Sequence, residues 1–352
     1  MKKESFQLLT DLVQAPSPSG FEEPVQKVVR KQMEKFADEV KTDVHGNVMG
    51  IKNPQGKPRL MLAGHCDEIG FMVKYIDEKG FIFFSSIGGI DAHITPGKRV
   101  QIHTRKGPVL GVIGRKAIHM LKEEEKKKVV ELSQQWIDIG AKDKKEAEKM
   151  VSIGDPITFW DELERLAGEL VVSRGFDDKV GAFVICEVLR RISDKPLRAA
   201  VFATSTVQEE IGLRGARTAA YAINPEVGIA VEVDLATDHP DVDKKREGEI
   251  LLGKGVVLFR GANINPKLGK MLMKIAQEKG IPYQIAGVSG GTGTDANVIQ
   301  LSRAGVATAL MSIPVRYLHT PVEVLSLKDL EAAVKLLSAF VLEIKEGMSF
   351  IP

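Results

Sequence analysis

The chain has little cysteine. Its 352 residues contain two, Cys66 and Cys186, far apart and outside any C-x-x-C pair. That does not fit a disulfide framework, and a reducing cytoplasm is the expected compartment. Both cysteines read as small buried hydrophobes. An excess of charge of one sign is also missing, with 49 basic residues against 47 acidic ones. Nucleic-acid binding needs a concentrated basic face, and this balance gives it no support. No stretch approaches the ~18 consecutive apolar residues of a membrane span, so no membrane partner is expected. The opening "MKKESFQLLTDLVQAPSPSG" lacks an apolar h-region and a cleavage site, so it does not read as a signal peptide. Aromatics are sparse, with two tryptophans and four tyrosines.

What is present is 43% hydrophobic residues, enough for a large core in one large or two ordinary domains. The first 35 residues read as two helices broken by "APSPSG". Ser19 is placed to cap the second helix, with Glu22 completing a capping box. "NVMGIKN" and "RLMLAGHCDEIG" follow as strands. From about residue 70, short apolar runs with glycine turns and no helices between them predict a small barrel or sandwich. Within it, "HMLKEEEKKKVVELSQQW" is a mixed charge run expected to lie solvated. From about residue 166, strands alternate with helices near 178–192, 212–222, 266–280, 295–303 and 327–346. That alternation predicts an α/β layer structure with a mostly parallel central sheet. The first two strands have no other sheet to join. The expected organisation is therefore an α/β domain of residues 1–69 and 166–352, with a β-rich domain inserted at 70–165.

Open α/β sheets gather function at the carboxyl ends of their strands. His65 and Asp67 stand after "RLMLAG", and Asp177 and Asp178 after "ELVVSRGF". Glu209 and Glu210 follow "AVFATSTVQ", Glu232 and Asp234 lie in "VGIAVEVD", and His319 comes after "ALMSIPVRYL". Singly, each has an ordinary explanation, such as a helix cap, a solvated strand tip or a hydrogen-bonded histidine. Jointly, so many acids on one rim with few cations beside them would repel unless something cationic sat among them. A divalent metal pair answers that, and imidazole with carboxylate suits zinc, cobalt or manganese. His65 and Asp67 share a face of an extended strand, so Asp67 can accept from the free ring nitrogen of His65. "SGGTGTDAN" lacks the G-x-x-x-x-G-K-[ST] arrangement of a phosphate loop and reads as a tight loop lining a substrate pocket. Asp295 within it reads as a cap of the following helix. His45, His93, His103, His119 and His239 have no partner pattern and read as structural or exposed.

The motifs "GHCDEIGFMV", "SRGFDDKVG", "TVQEEIGLRGA", "VEVDLATD", "GGTGTDAN" and "RYLHTPVE" occur in order along the whole chain. Together they resemble the motif set of the tetrahedral aminopeptidases, the two-metal family 42 metallo-aminopeptidases. The resemblance implies a zinc-peptidase-like three-layer α/β sandwich with an inserted β-barrel that mediates dimers. It implies two divalent ions per subunit, peptide substrates and a homo-oligomer ranging from a dimer to a tetrahedral dodecamer. By that likeness His65 and Glu232 bind the first ion, Asp177 bridges, and Glu210 with His319 binds the second. Glu209 is the general base, Asp67 orients His65, and the peptide after Asp177 is cis. The family usually carries Asp where Glu232 stands, and Asp234, two residues on, is the alternative. Two other readings compete. One is a glycoside hydrolase built on the neighbouring carboxylates, against which the scarce aromatics argue. The other is a non-catalytic assembly protein with a degenerate site.

Overall fold

The computed structural model describes residues 1–352. Two amphipathic helices open the chain, α1 (Lys3–Gln14) and α2 (Glu23–Met33), each burying one apolar stripe. Strands β1 (Glu39–Thr42), β2 (Val48–Lys52) and β3 (Arg59–His65) follow. Six antiparallel strands then close a separate barrel: β4 (Gly70–Ile76), β5 (Ile82–Ile87), β6 (Arg99–Thr104), β7 (Gly107–Gly114), β8 (Trp136–Asp138) and β9 (Pro156–Phe159). The charge run lies between β7 and β8 and forms short helical turns, including α3 (Glu123–Lys126), none with a buried residue, while Gln135 near its end is buried and accepts the Thr95 hydroxyl. Helix α4 (Lys144–Met150) precedes β9.

The chain then returns through β10 (Glu164–Arg165) and β11 (Leu170–Ser173) to α5 (Phe176–Ile192), β12 (Ala200–Thr206), α6 (Arg214–Ile223) and β13 (Val227–Leu235). Next come α7 (Lys244–Glu247), β14 (Val256–Gly261), α8 (Pro266–Glu278), β15 (Tyr283–Val288) and α9 (Ala296–Ile299). The last elements are β16 (Ala307–Arg316), β17 (Glu323–Ser326) and α10 (Leu327–Glu343).

The large sheet runs β1-β2-β12-β3-β13-β16-β17-β11-β10, with β14 also paired to β16 and β15 to β14. Its centre, β12, β3, β13 and β16, is parallel, and both flanks are antiparallel. The sheet is thus mixed around a parallel centre. Such a centre must be covered on both faces, and its two glycine contacts show how. A Cβ at Gly64 in β3 would collide with the backbone of Gly181 in α5. A Cβ at Gly228 in β13 would meet Ile299 of α9 instead. Gly228 pairs with Met61, which faces opposite to Gly64, so α5 and α9 cover opposite faces of the sheet. This is the expected three-layer sandwich. A cluster of 65 buried apolar residues fills it, and a second cluster of 13, centred on Phe71, Ile82 and Ile157, fills the barrel. Cys66 and Cys186 are buried and unpaired.

Two local expectations need correction. Ser19 does not cap α2, whose preceding residue is Glu22 with no side-chain cap bond. The Ser19 hydroxyl donates instead to Asp67 Oδ2 at 2.6 Å, a fully buried carboxylate. The helix expected at 295–303 stops at Ile299, and Arg303 beyond it takes a positive φ of 52°.

Candidate active site

Four parallel strands end side by side, and their register sets the site. Thr206 pairs with His65, and Glu232 pairs with Ser312. The β3–β13 register reaches Ala63 opposite Ala230 and, carried two residues further, sets His65 beside Glu232. Beyond β12 the chain turns through Gln208, at φ 55°, and delivers Glu209 and Glu210. Asp177 and Asp178 depart from helical backbone at the head of α5 and are joined by a cis peptide. His319 stands in the loop after β16.

The side chains converge. His65 Nε2 lies 3.1 Å from Asp177 Oδ1, 3.5 Å from Glu232 Oε2 and 3.8 Å from Glu209 Oε2. His319 Nε2 lies 3.2 Å from Asp177 Oδ2 and 3.6 Å from Glu210 Oε2. Asp177 therefore turns one oxygen to each histidine. Glu209 and Glu210 leave the turn in different directions, one toward His65 and the other toward His319. Asp234 joins neither group. It lines the same cleft, of about 720 Å³, together with Phe259, Val288 and Ser312.

Asp67 does more than expected, and its contact with His65 differs. The His65 Nδ1 atom meets the Asp67 backbone carbonyl at 3.0 Å, closer than the carboxylate at 3.4 Å. The Asp67 carboxylate accepts the amides of Glu209 and Glu210 at 3.0 and 3.1 Å, besides the Ser19 hydroxyl. It fixes the Glu-Glu turn as well as standing beside His65.

Three further acids belong to the cluster. Asp178 accepts the His65 amide at 3.1 Å and the Gly181 amide at 3.0 Å. Asp295 stands at the head of α9, but its carboxylate takes the Thr206 hydroxyl at 2.6 Å, so it is not the helix cap expected. Its own amide donates to Glu232 Oε1 at 3.1 Å. Glu323 accepts the amides of both Asp177 and His319. The acid four residues after His319 in "RYLHTPVE" was the visible signal for Glu323.

So much buried carboxylate shifts proton affinities. Burial pushes Glu209 up to about 9, with His65 opposing and Asp295 adding to the rise. Burial and the Asp177 charge push Glu210 up to about 8. Burial also raises Glu232 and Asp178 well above the carboxylate range. Asp177 goes the other way: its bonds to His319 and His65 outweigh burial and hold it below the usual range. The Asp177 bond raises His319 to about 9. For His65, burial opposes the cation, but Glu209 and Asp177 outweigh it and the pKa rises.

The residues present fit divalent ions. His65, Asp177 and Glu210 bring ligand atoms within 4.8 Å of one another, as do His65, Asp178 and Glu232, and Glu209, Glu232 and Asp295. Glu210 Oε1 is buried without a partner, an acceptor left for a cation. The nitrogen and oxygen donor set suits zinc, cobalt or manganese.

Several solved structures share this architecture. A TET aminopeptidase from Thaumarchaeota archaeon SCGC AB-539-E09 superposes with a TM-score of 0.93 at 38% identity, over 97% of each chain. The Pyrococcus horikoshii TET1 peptidase, described as assembling into a tetrahedron or a large octahedral shell, gives 0.87 at 33% identity over 97% of this chain and all of its own. A Thermotoga maritima protein described as an endoglucanase gives 0.78 at 28% identity over 95% and 96%. A putative aminopeptidase of Acetivibrio thermocellus is 37% identical over 96% of this chain and 98% of its own. A lysyl aminopeptidase of Pyrococcus furiosus is 36% identical over 99% of both. The model for M42 glutamyl aminopeptidase matches residues 46–336. The chain belongs to the M42 aminopeptidase family and is a peptidase hydrolase.

Proposed function

We propose that the chain is a dinuclear, metal-dependent aminopeptidase that removes N-terminal residues from peptides. The observation that carries this reading is the division of Asp177, one oxygen toward His65 and the other toward His319. His65 and Glu232 would hold one ion, Glu210 and His319 the other, and Asp177 would bridge. When bound, the ions polarise the scissile carbonyl and lower the pKa of the attacking water. Glu209, buried beside the cluster and outside the proposed ligand set, accepts that water's proton and returns it to the leaving amine. Asp67 holds the Glu209 and Glu210 amides, so base and ligand keep fixed directions. Zinc or cobalt suits the donors best, with manganese next.

Glu209→Gln should lower kcat by roughly 10²–10⁴-fold with metal content near that of the wild type. Glu210→Gln should lower metal occupancy first. Both would be read by an aminoacyl-p-nitroanilide assay beside elemental analysis, and identical behaviour would sink the division of labour.

The endoglucanase description of one relative keeps a glycosidase as the second reading. Phe259 is the sole aromatic ring beside the histidines in the cleft, and sugar clefts rely on aromatic platforms. Carboxymethyl-cellulose hydrolysis that survives a chelator would favour it. The relatives' shells support a homo-oligomer here. Leu110 and Val112, two residues apart on the outer face of β7, are 49% and 46% exposed and offer apolar surface to a second copy. Light scattering that shows a monomer would remove that part. No helix of the chain is long and apolar enough to cross a membrane, which is compatible with the cytoplasmic location proposed from cysteine usage.

A further inference from the structure

Glu323 is 2% exposed and opens β17. Its two oxygens are used separately. Oε2 accepts the Asp177 amide at 3.1 Å, and Oε1 accepts the His319 amide at 3.1 Å. Those amides belong to different parts of the fold, the head of α5 and the loop leaving β16. Their side chains nevertheless meet, His319 Nε2 lying 3.2 Å from Asp177 Oδ2.

The sheet does not depend on the Glu323 side chain, because β17 is held by backbone ladders to β16 and β11. The His319 loop does need it. Tyr317 and His319 both take φ of 60°, a region unfavourable to side chains with a Cβ, and no regular element contains them. Besides the Nε2 contact with Asp177, two contacts fix His319: the ring Nδ1 lies 2.8 Å from the Gly89 carbonyl of the barrel, and the amide is held by Glu323. The first orients the ring and the second sets the backbone from which the ring reaches out.

We propose that Glu323 is a positioning residue that ties the main chains of Asp177 and His319 together and so fixes the spacing of the second cation subsite. The inference rests on the reading of these two residues as ligands. Glutamine at 323 would keep one acceptor and turn an NH2 toward the other amide, breaking one of the two ties.

The test is calorimetric titration of the metal-stripped full chain with cobalt(II), wild type against Glu323→Gln, beside thermal unfolding of both metal-free proteins. The wild type should take up two ions. The variant should bind the second ion roughly 10–100-fold more weakly, with a smaller loss at the first, which keeps His65 and Glu232 beside Asp177. At saturating cobalt, kcat should recover toward that of the wild type. In a His319→Ala background the same change should weaken the second ion little further. A lower melting temperature with both affinities unchanged would make Glu323 a structural brace only and overturn the proposal. Should Glu323→Gln not fold, Glu323→Asp keeps the charge and can hold one amide, and the same split between first and second ion decides. A wild type that binds fewer than two ions would overturn the dinuclear reading itself, and the clamp with it.

Discussion

Glu68 sits one residue past Asp67, and its carboxylate is held by two cations. It pairs with Arg174, and its Oε1 lies 2.8 Å from Lys179 Nζ. Lys179 and Arg174 also donate to the carbonyls of Ala15 and Gln14, so the cluster ties the end of α1 to the head of α5. The partners shift unequally. Burial works against the Glu68 charge, yet Arg174 and Lys179 outweigh it and bring the pKa down to about 2. Lys179 falls to about 8, because burial and Arg174 together exceed the help from Glu68. One carboxylate gains from two cations, whereas each cation faces the other. The folded pKa of Glu68 lies below its ordinary 4.5, so its contribution is present above pH 4.5 and is lost as pH falls toward 2. Its size is on the order of 3 kcal/mol. Glu68→Gln should destabilise by about 3–5 kcal/mol at pH 6, by leaving two buried cations unpaired. Urea midpoints at pH 6 and pH 3 should show the gap to wild type narrowing at the lower pH, and a constant gap would refute the assignment. At this scale the sequence was readable where an apolar strand switches abruptly to an acid or histidine, as at His65, Asp177 and Glu209. Ser19, Asp295 and Glu323 were not readable in role. Their partners are a carboxylate, a hydroxyl and two backbone amides, and Ser19 and Asp67 are 48 positions apart while Asp177 and Glu323 are 146 apart.

Strand β3 and helix α5 approach closely at Gly64 and Gly181, and that approach controls two proposed ligands at once. Gly64 precedes His65, and Gly181 follows the Asp177–Asp178 pair by one short turn. Gly64→Ala would push the added methyl into the Gly181 backbone, where no flexible side chain can yield. Overpacking of this kind costs about 1–3 kcal/mol. The variant should melt several degrees lower and lose activity beyond what its folded fraction explains, since lifting α5 separates His65 from Asp177. Calorimetry beside kcat at a temperature where both proteins are folded would show it, and an unchanged melting temperature would defeat the close-packing account. Of the strands β12 to β16, all but β14 were legible together with the longer helices between them, because each of those elements carries its own period. Strand β17, with the sequence "EVLS", was not. It is too short to show alternation, and pairing with both β11 and β16 makes it a strand. The barrel was legible from closely spaced apolar runs and glycines, while its closure through β4–β9 and β6–β9 pairing is long-range and leaves no local mark.

The cleft lies where the sandwich and the barrel meet, with the Gly89 carbonyl of one on the His319 ring of the other, so its charge state acts on the stability of the whole molecule. Without cations, Glu209 at about 9 and Glu210 at about 8 hold protons that an unfolded chain releases near 4.5. His319, raised from 6.5 to about 9, does the same in the upper part of that range. Asp177 is shifted oppositely, but from an ordinary 3.8, so its window closes below pH 4. Between pH 5 and 9 these groups therefore bind more protons in the folded, metal-free chain than in the unfolded one, and their contribution to stability falls as pH rises. Divalent ions replace those protons, and they bind more strongly as the ligands lose them. The melting temperature of chelator-treated protein should thus decline from pH 5.5 to pH 8.5. Protein reconstituted with zinc or cobalt should hold nearly level, so that the gap between the two curves widens with pH. A gap that stayed constant, or closed toward alkaline pH, would mean that these carboxylates and histidines are not the groups exchanging protons for metal.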